Sequence, residues 1–190
     1  MPHCPVGALS VAFAAVLAAQ AGWADRLEEV GRIVWRGDAP GFGGFSGIEV
    51  SADGTRMAAV SDRGALARAA LRRRDGALAG VGEGTLQPLL RYDGRPLGPR
   101  EVDAEGLTGD VDGALFVSFE GDHRVARLDR GAARLKRLDR PRAFGALQTN
   151  SGLEALATGP EGRLIALPER SGALDRPFPV YRHDADGWRH

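Results

Sequence analysis

Three stretches of the chain are variations on one pattern. Ser46-Gly47-Ile48-Glu49 leads into an Asp53-Gly54 turn and an apolar run closed by Asp62. Glu105-Gly106-Leu107 leads into Asp112-Gly113 and a run closed by Glu120, and Ser151-Gly152-Leu153-Glu154 leads into Glu161-Gly162 and a run closed by Glu169. Each reads as a short strand, a glycine turn and a β-rich strand ending on a carboxylate. The opening glycines, Gly47, Gly106 and Gly152, lie 59 and 46 residues apart. A repeat of roughly 40–50 residues holding four strands is the mark of a β-propeller blade.

Turn residues and alternation place the strands. The first unit takes 46–51, 56–61, 66–72 and 85–92, and the second 106–109, 114–119, 124–128 and 133–138. The third takes 152–157, 163–167 and 179–182, with a fourth strand cut short at Trp188-Arg189-His190. A separate strand is expected over 30–36. The expected class is therefore all-β, a partial β-propeller of four-stranded blades, with a β-sandwich of similar strand number as the alternative. Closed propellers have about four or more blades, so residues 25–190 read as a propeller domain truncated at its C-terminus. Leu164, Ile165 and Leu167 would then lack a following blade.

From Ala8 to Ala19 the sequence is almost wholly apolar, and Gly22 and Ala24 precede a charged segment. This reads as a signal peptide over 1–24, which implies a periplasmic or secreted protein. The run is shorter than the roughly 20 residues that cross a bilayer, so no stable membrane anchor is expected. Cys4 is the single cysteine and falls within the signal. Export would leave a chain without thiols, which excludes disulfides and cysteine nucleophiles. The 25 basic and 25 acidic side chains balance, which argues against nucleic acid as a partner.

At Phe45-Ser46-Gly47-Ile48-Glu49, Ser61-Asp62-Arg63-Gly64, Asp103-Ala104-Glu105-Gly106-Leu107, Ser118-Phe119-Glu120 and Asn150-Ser151-Gly152-Leu153-Glu154, the chain resembles the phytase-like β-propeller family, whose members are described as having esterase-like activity. The resemblance runs from about residue 30 to the C-terminus. It implies a secreted or periplasmic propeller related to calcium-dependent phytases, in which acidic residues gather around calcium and hold phosphate substrates.

The residues themselves permit such chemistry. Equivalent positions of successive blades face the same end of a propeller channel, so Asp62, Glu120 and Glu169, with Glu49, Glu105 and Glu154, can form a ring of carboxylates. Converging oxygen ligands suit calcium, and these six are the candidate metal ligands. Equally, such carboxylates can staple blades by accepting backbone N–H groups or pairing with arginine, and 24 of the 25 cations are arginine. Arg63, beside Asp62, is the candidate contact for an anionic substrate. No Gly-x-Ser-x-Gly occurs, and His123, in an expected hairpin turn, is read as solvent-exposed, so a serine triad is disfavoured. The expected function is a calcium-assisted hydrolase of phosphoric or other esters acting on a small molecule. The alternative is a non-catalytic propeller of the cell envelope that binds a ligand or a protein.

Overall fold

Aspartate and glycine set the strand ends. In the first hairpin Asp53 Oδ1 accepts hydrogen bonds from the Ser51 hydroxyl at 2.6 Å and from the Thr55 N–H at 3.0 Å, while Gly54 takes φ +69°. The same bonds hold the Asp53 carboxyl far below the usual carboxylate range. At Asp75-Gly76 both residues take positive φ, +52° and +81°, the backbone of a tight hairpin. This turn starts the fourth strand of the first blade well before the residues expected from pattern.

The computed structural model describes residues 29–190; the signal peptide expected over 1–24 lies outside them. The first blade comprises β1 (Phe45–Val50), β2 (Arg56–Ser61), β3 (Ala65–Arg74) and β4 (Ala77–Pro88). The second comprises β5 (Ala104–Gly109), β6 (Leu115–Phe119), β7 (Arg124–Leu128) and β8 (Leu135–Arg137). The third comprises β9 (Leu153–Thr158), β10 (Leu164–Pro168), β11 (Tyr181–Asp184) and β12 (Gly187–Arg189). Each sheet is an antiparallel meander in sequence order. The fold is a β-propeller arrangement of four-stranded blades, and the sandwich alternative does not apply.

Two expectations are corrected. The third blade has its full four strands, because Gly187 at φ +94° turns the chain and β12 pairs with β11 through His183 opposite Trp188. The strand expected over 30–36 is absent. There Trp35 stacks on Phe45 with ring centroids 4.9 Å apart, and Phe42 meets both rings edge-on, so aromatic packing holds a segment that has no ladder.

The blades are joined by two apolar cores, and the middle blade serves both. Along β7, Val125 faces the third blade while Ala126 and Leu128 face the first, as the two-residue strand period requires. Val60, Leu66, Leu107, Val117 and Phe119 fill the first core; Phe144, Leu153, Leu164, Ala166 and Tyr181 fill the second. Leu164 is thus covered by the preceding blade, against expectation, while its neighbours Ile165 and Leu167 are half-exposed. The inner strands β1, β5 and β9 approach closely because glycine lets them. A Cβ on Gly47 would lie 2.7 Å from the Leu107 nitrogen, and one on Gly106 would lie 2.8 Å from the Leu156 Cβ. Among the described residues no helix is long and apolar enough to cross a membrane.

Candidate metal centre

Strand pairing, more than sequence similarity, fixes which residues are equivalent between blades. In β5, Ala104 pairs with Phe119 and Gly106 with Ser118, so Glu105 is an extra, bulged residue. In β9, Leu153 pairs with Pro168 and Ala155 with Leu167, so Glu154 is bulged in the same way. In β1 the bulged residue is Ser46. A bulge re-aims the side chain it carries, and it does so here at one end of each inner strand. Ser46, Glu105 and Glu154 are therefore equivalent. The sequence pattern matched Gly152 to Gly47 and Gly106, three residues out of register, and so placed Glu49 with Glu105; Glu49 lies further along β1, opposite Ala58.

The outgoing strands repeat faithfully. The backbone N–H groups of Asp62, Glu120 and Glu169 donate to the carbonyls of Gly44, Asp103 and Gly152 at 2.8, 2.8 and 2.9 Å. Each carboxylate thus leaves its second strand beside the residue that precedes the inner-strand bulge. In the second blade that residue is Asp103, which pattern reasoning missed because glycine occupies the equivalent positions, Gly44 and Gly152.

Five of these side chains converge. Carboxylate oxygens of Asp103, Glu105 and Glu120 lie within 4.8 Å of one another, and so do those of Glu120, Glu154 and Glu169. Glu120 belongs to both groups and bridges the second and third blades. One of its oxygens, Oε1, accepts the Gly152 N–H at 2.7 Å, which is the blade staple anticipated from sequence; its other oxygen remains to face the cluster. Partial burial, then the charges of Glu154 and Asp103, push the Glu105 carboxyl up to about 7. Partial burial and the charges of Glu120, Glu169 and Asp103 raise Glu154 as well. Carboxylates crowded in this way oppose their own ionisation, and a cation among them would relieve the repulsion.

Asp62 lies outside the two groups. It is exposed, with its Oδ1 3.8 Å from Arg63 Nε and 3.3 Å from the Ser61 hydroxyl. Arg63 is exposed as well, its backbone N–H bonded to Ser61 Oγ. His123 departs from expectation, being 4% exposed. Its hairpin folds the ring inward onto Gly152, where a Cβ would lie 2.2 Å from Nδ1, and Nδ1 itself is buried without a hydrogen-bond partner.

The donor set consists of oxygens alone, and oxygens up to 4.8 Å apart match opposite ligands of one ion at about 2.4 Å, the calcium distance. The cluster of acidic residues can hold a metal of that kind.

Among curated proteins none matches the sequence. Three solved structures are similar over part of their length. A luciferin-regenerating enzyme is 16% identical with a TM-score of 0.45, covering 73% of this chain and 44% of its own. The Swd1 β-propeller domain of Myceliophteria thermophila is 10% identical with a TM-score of 0.41, covering 76% and 37%. A glucose dehydrogenase is 16% identical with a TM-score of 0.39, covering 74% and 44%. The chain thus spans less than half the length of each. A family model described as "Phytase-like: Esterase-like activity of phytase" matches residues 40–188, from before the first blade almost to the end of the third. The protein therefore belongs to this phytase-like family.

Proposed function

We propose that the protein is an ester hydrolase, with phosphoric esters as its first substrate class, that works with calcium held by Asp103, Glu105, Glu120, Glu154 and Glu169. The observation that supports this reading most is the meeting of carboxylates from two blades at one end of the inner strands, in a chain of a family described by esterase-like activity. When bound, calcium would polarise an ester or phosphoryl oxygen and lower the pKa of a coordinated water.

The chain's own residues prepare that place. The bulges in β5 and β9 turn Glu105 and Glu154 toward a common point, and the Gly152 N–H fixes the Glu120 carboxylate so that little order is lost when a ligand arrives. Arg63, at the equivalent end of the first blade, is proposed to meet the anionic part of the substrate in place of Asp62. We also take the protein to be exported, periplasmic or secreted, after cleavage of residues 1–24; N-terminal sequencing of the protein from those fractions should begin at Asp25.

Hydrolysis of p-nitrophenyl phosphate and p-nitrophenyl acetate, measured with calcium and again with a chelator, tests the activity. Turnover that needs calcium and is lost in Glu154→Gln is expected. Absence of turnover with both esters while calcium still binds would overturn the hydrolase reading and leave a ligand-binding propeller.

A further inference from the structure

A second cavity, separate from the carboxylates, lies at the end of the second blade where β6 hands over to β7. Its volume is about 370 Å³, and five cationic side chains line it against two acidic ones. That size is near the lower end for small-molecule sites, and the charge balance selects an anion. Leu97, Leu135 and Leu138 supply an apolar part of the wall, so the ligand has an apolar body as well.

The cations are placed in different ways. Arg124 is fixed: its guanidinium stacks on the Phe119 ring at 3.8 Å and donates to the backbone carbonyls of Glu101 at 2.7 Å and Asp122 at 3.1 Å. Arg137 is not held by such bonds. It lies over the Tyr92 ring at 3.5 Å and, among the described residues, makes no hydrogen bond or ion pair. Arg91 stands 3.6 Å from Glu101 through one terminal nitrogen, while its Nε is buried with no hydrogen-bond partner. A buried donor without an acceptor is costly, and an oxyanion in the cavity supplies one. Guanidinium groups already stacked on rings lose little freedom when they bind an oxyanion in a forked geometry.

We propose that this cavity binds a small aromatic oxyanion, its charged head on Arg91 and Arg137 and its ring among Tyr92 and the leucines. The proposal stands independently of the hydrolase reading, since none of the five clustered carboxylates lines the cavity.

Calorimetric titration of the full chain with phenylphosphonate, which no ester hydrolase can cleave, tests it in the presence of a chelator. The expected result is saturable binding at one site that weakens as salt is raised, with benzyl alcohol at least about tenfold weaker for want of the charge-assisted bonds. Arg137→Gln should weaken phenylphosphonate by about tenfold, the loss of one charged hydrogen bond. Its melting temperature should be unchanged, because Arg137 makes no bond that the fold uses. Arg91→Gln should act in the same direction, and Glu154→Gln should leave the affinity unaltered. The proposal is overturned if phenylphosphonate does not bind at millimolar concentration, if Arg137→Gln binds as the parent does, or if Glu154→Gln and not Arg137→Gln changes the affinity.

Discussion

Glu120 Oε1 accepts the backbone N–H of Gly152 at 2.7 Å, which ties a carboxylate of the second blade to the residue that opens the third. The same side chain belongs to both carboxylate groups, so one residue links blade packing to the candidate metal site. Replacement should separate these roles. Glu120→Ala removes the acceptor and should cost about 1–2 kcal/mol, the lower part of the range for hydrogen bonds to charged groups because the side chain is only half-buried. Glu120→Gln keeps an acceptor oxygen and loses the charge. In metal-free protein it should melt at or above the parent temperature at neutral pH, yet bind calcium far more weakly. Thermal melts with chelator and calcium titrations read the two effects; a Gln variant as unstable as the Ala variant would count against the staple.

Gly152 also carries the weight of the buried histidine. A Cβ there would lie 2.2 Å from His123 Nδ1, closer than any real contact, and the ring is 4% exposed with little room to retreat. Gly152→Ala should therefore destabilise by about 1–3 kcal/mol, the usual cost of overpacking. Gly145→Ala is the matched control, since nothing lies within 4 Å of its added Cβ. Denaturant melts of the two variants should differ clearly; similar midpoints would mean that the His123 hairpin yields.

The contact between the second and third blades has a polar element that can be removed singly. Thr108 Oγ1 accepts the Thr158 backbone N–H at 2.9 Å and stands 3.1 Å from the Thr158 hydroxyl, while Thr108 itself is 4% exposed. Thr108→Val keeps the shape and strands a donor, so a loss of about 1–3 kcal/mol is expected. Thr108→Ser should recover most of it. If Val and Ser variants melt alike, the bond contributes nothing to blade packing.

Strand order was legible because each turn announces itself in residue type: Asp53-Gly54, Asp75-Gly76 and Asp186-Gly187 mark hairpins that the structure contains. The carboxylates at the ends of the second strands were legible too, since Asp62, Glu120 and Glu169 follow apolar runs of constant form. What sequence could not convey is register. A bulge adds one residue without any signature, so Glu49 looked like the partner of Glu105 when Ser46 holds that place. Asp103 escaped notice because it departs from the repeat, its counterparts being Gly44 and Gly152. The burial of His123 depends on a neighbouring blade, which no local pattern encodes.

Charge crowding at Glu105 makes stability depend on pH in a direction that can be worked out. Its carboxyl titrates at about 7 in the folded protein against an ordinary 4.5, through partial burial first and then the charges of Glu154 and Asp103. Between those values the folded chain keeps a proton that the unfolded chain has released, so stability falls as pH rises through that window. Below it both states are protonated and the group costs nothing. Glu154 is raised too and acts in the same sense. With chelator present, the melting temperature should therefore be lower at about pH 8 than at about pH 5, and Glu105→Gln should flatten the difference. Calcium should reverse the loss where the carboxylates are ionised, stabilising more at the higher pH because ions bind only the deprotonated cluster. At a hundredfold excess over its dissociation constant the gain should reach about 2.7 kcal/mol. A parent protein whose melting temperature responds to pH as the Glu105→Gln variant does, with no response to calcium at either pH, would show that these carboxylates neither repel one another nor hold an ion.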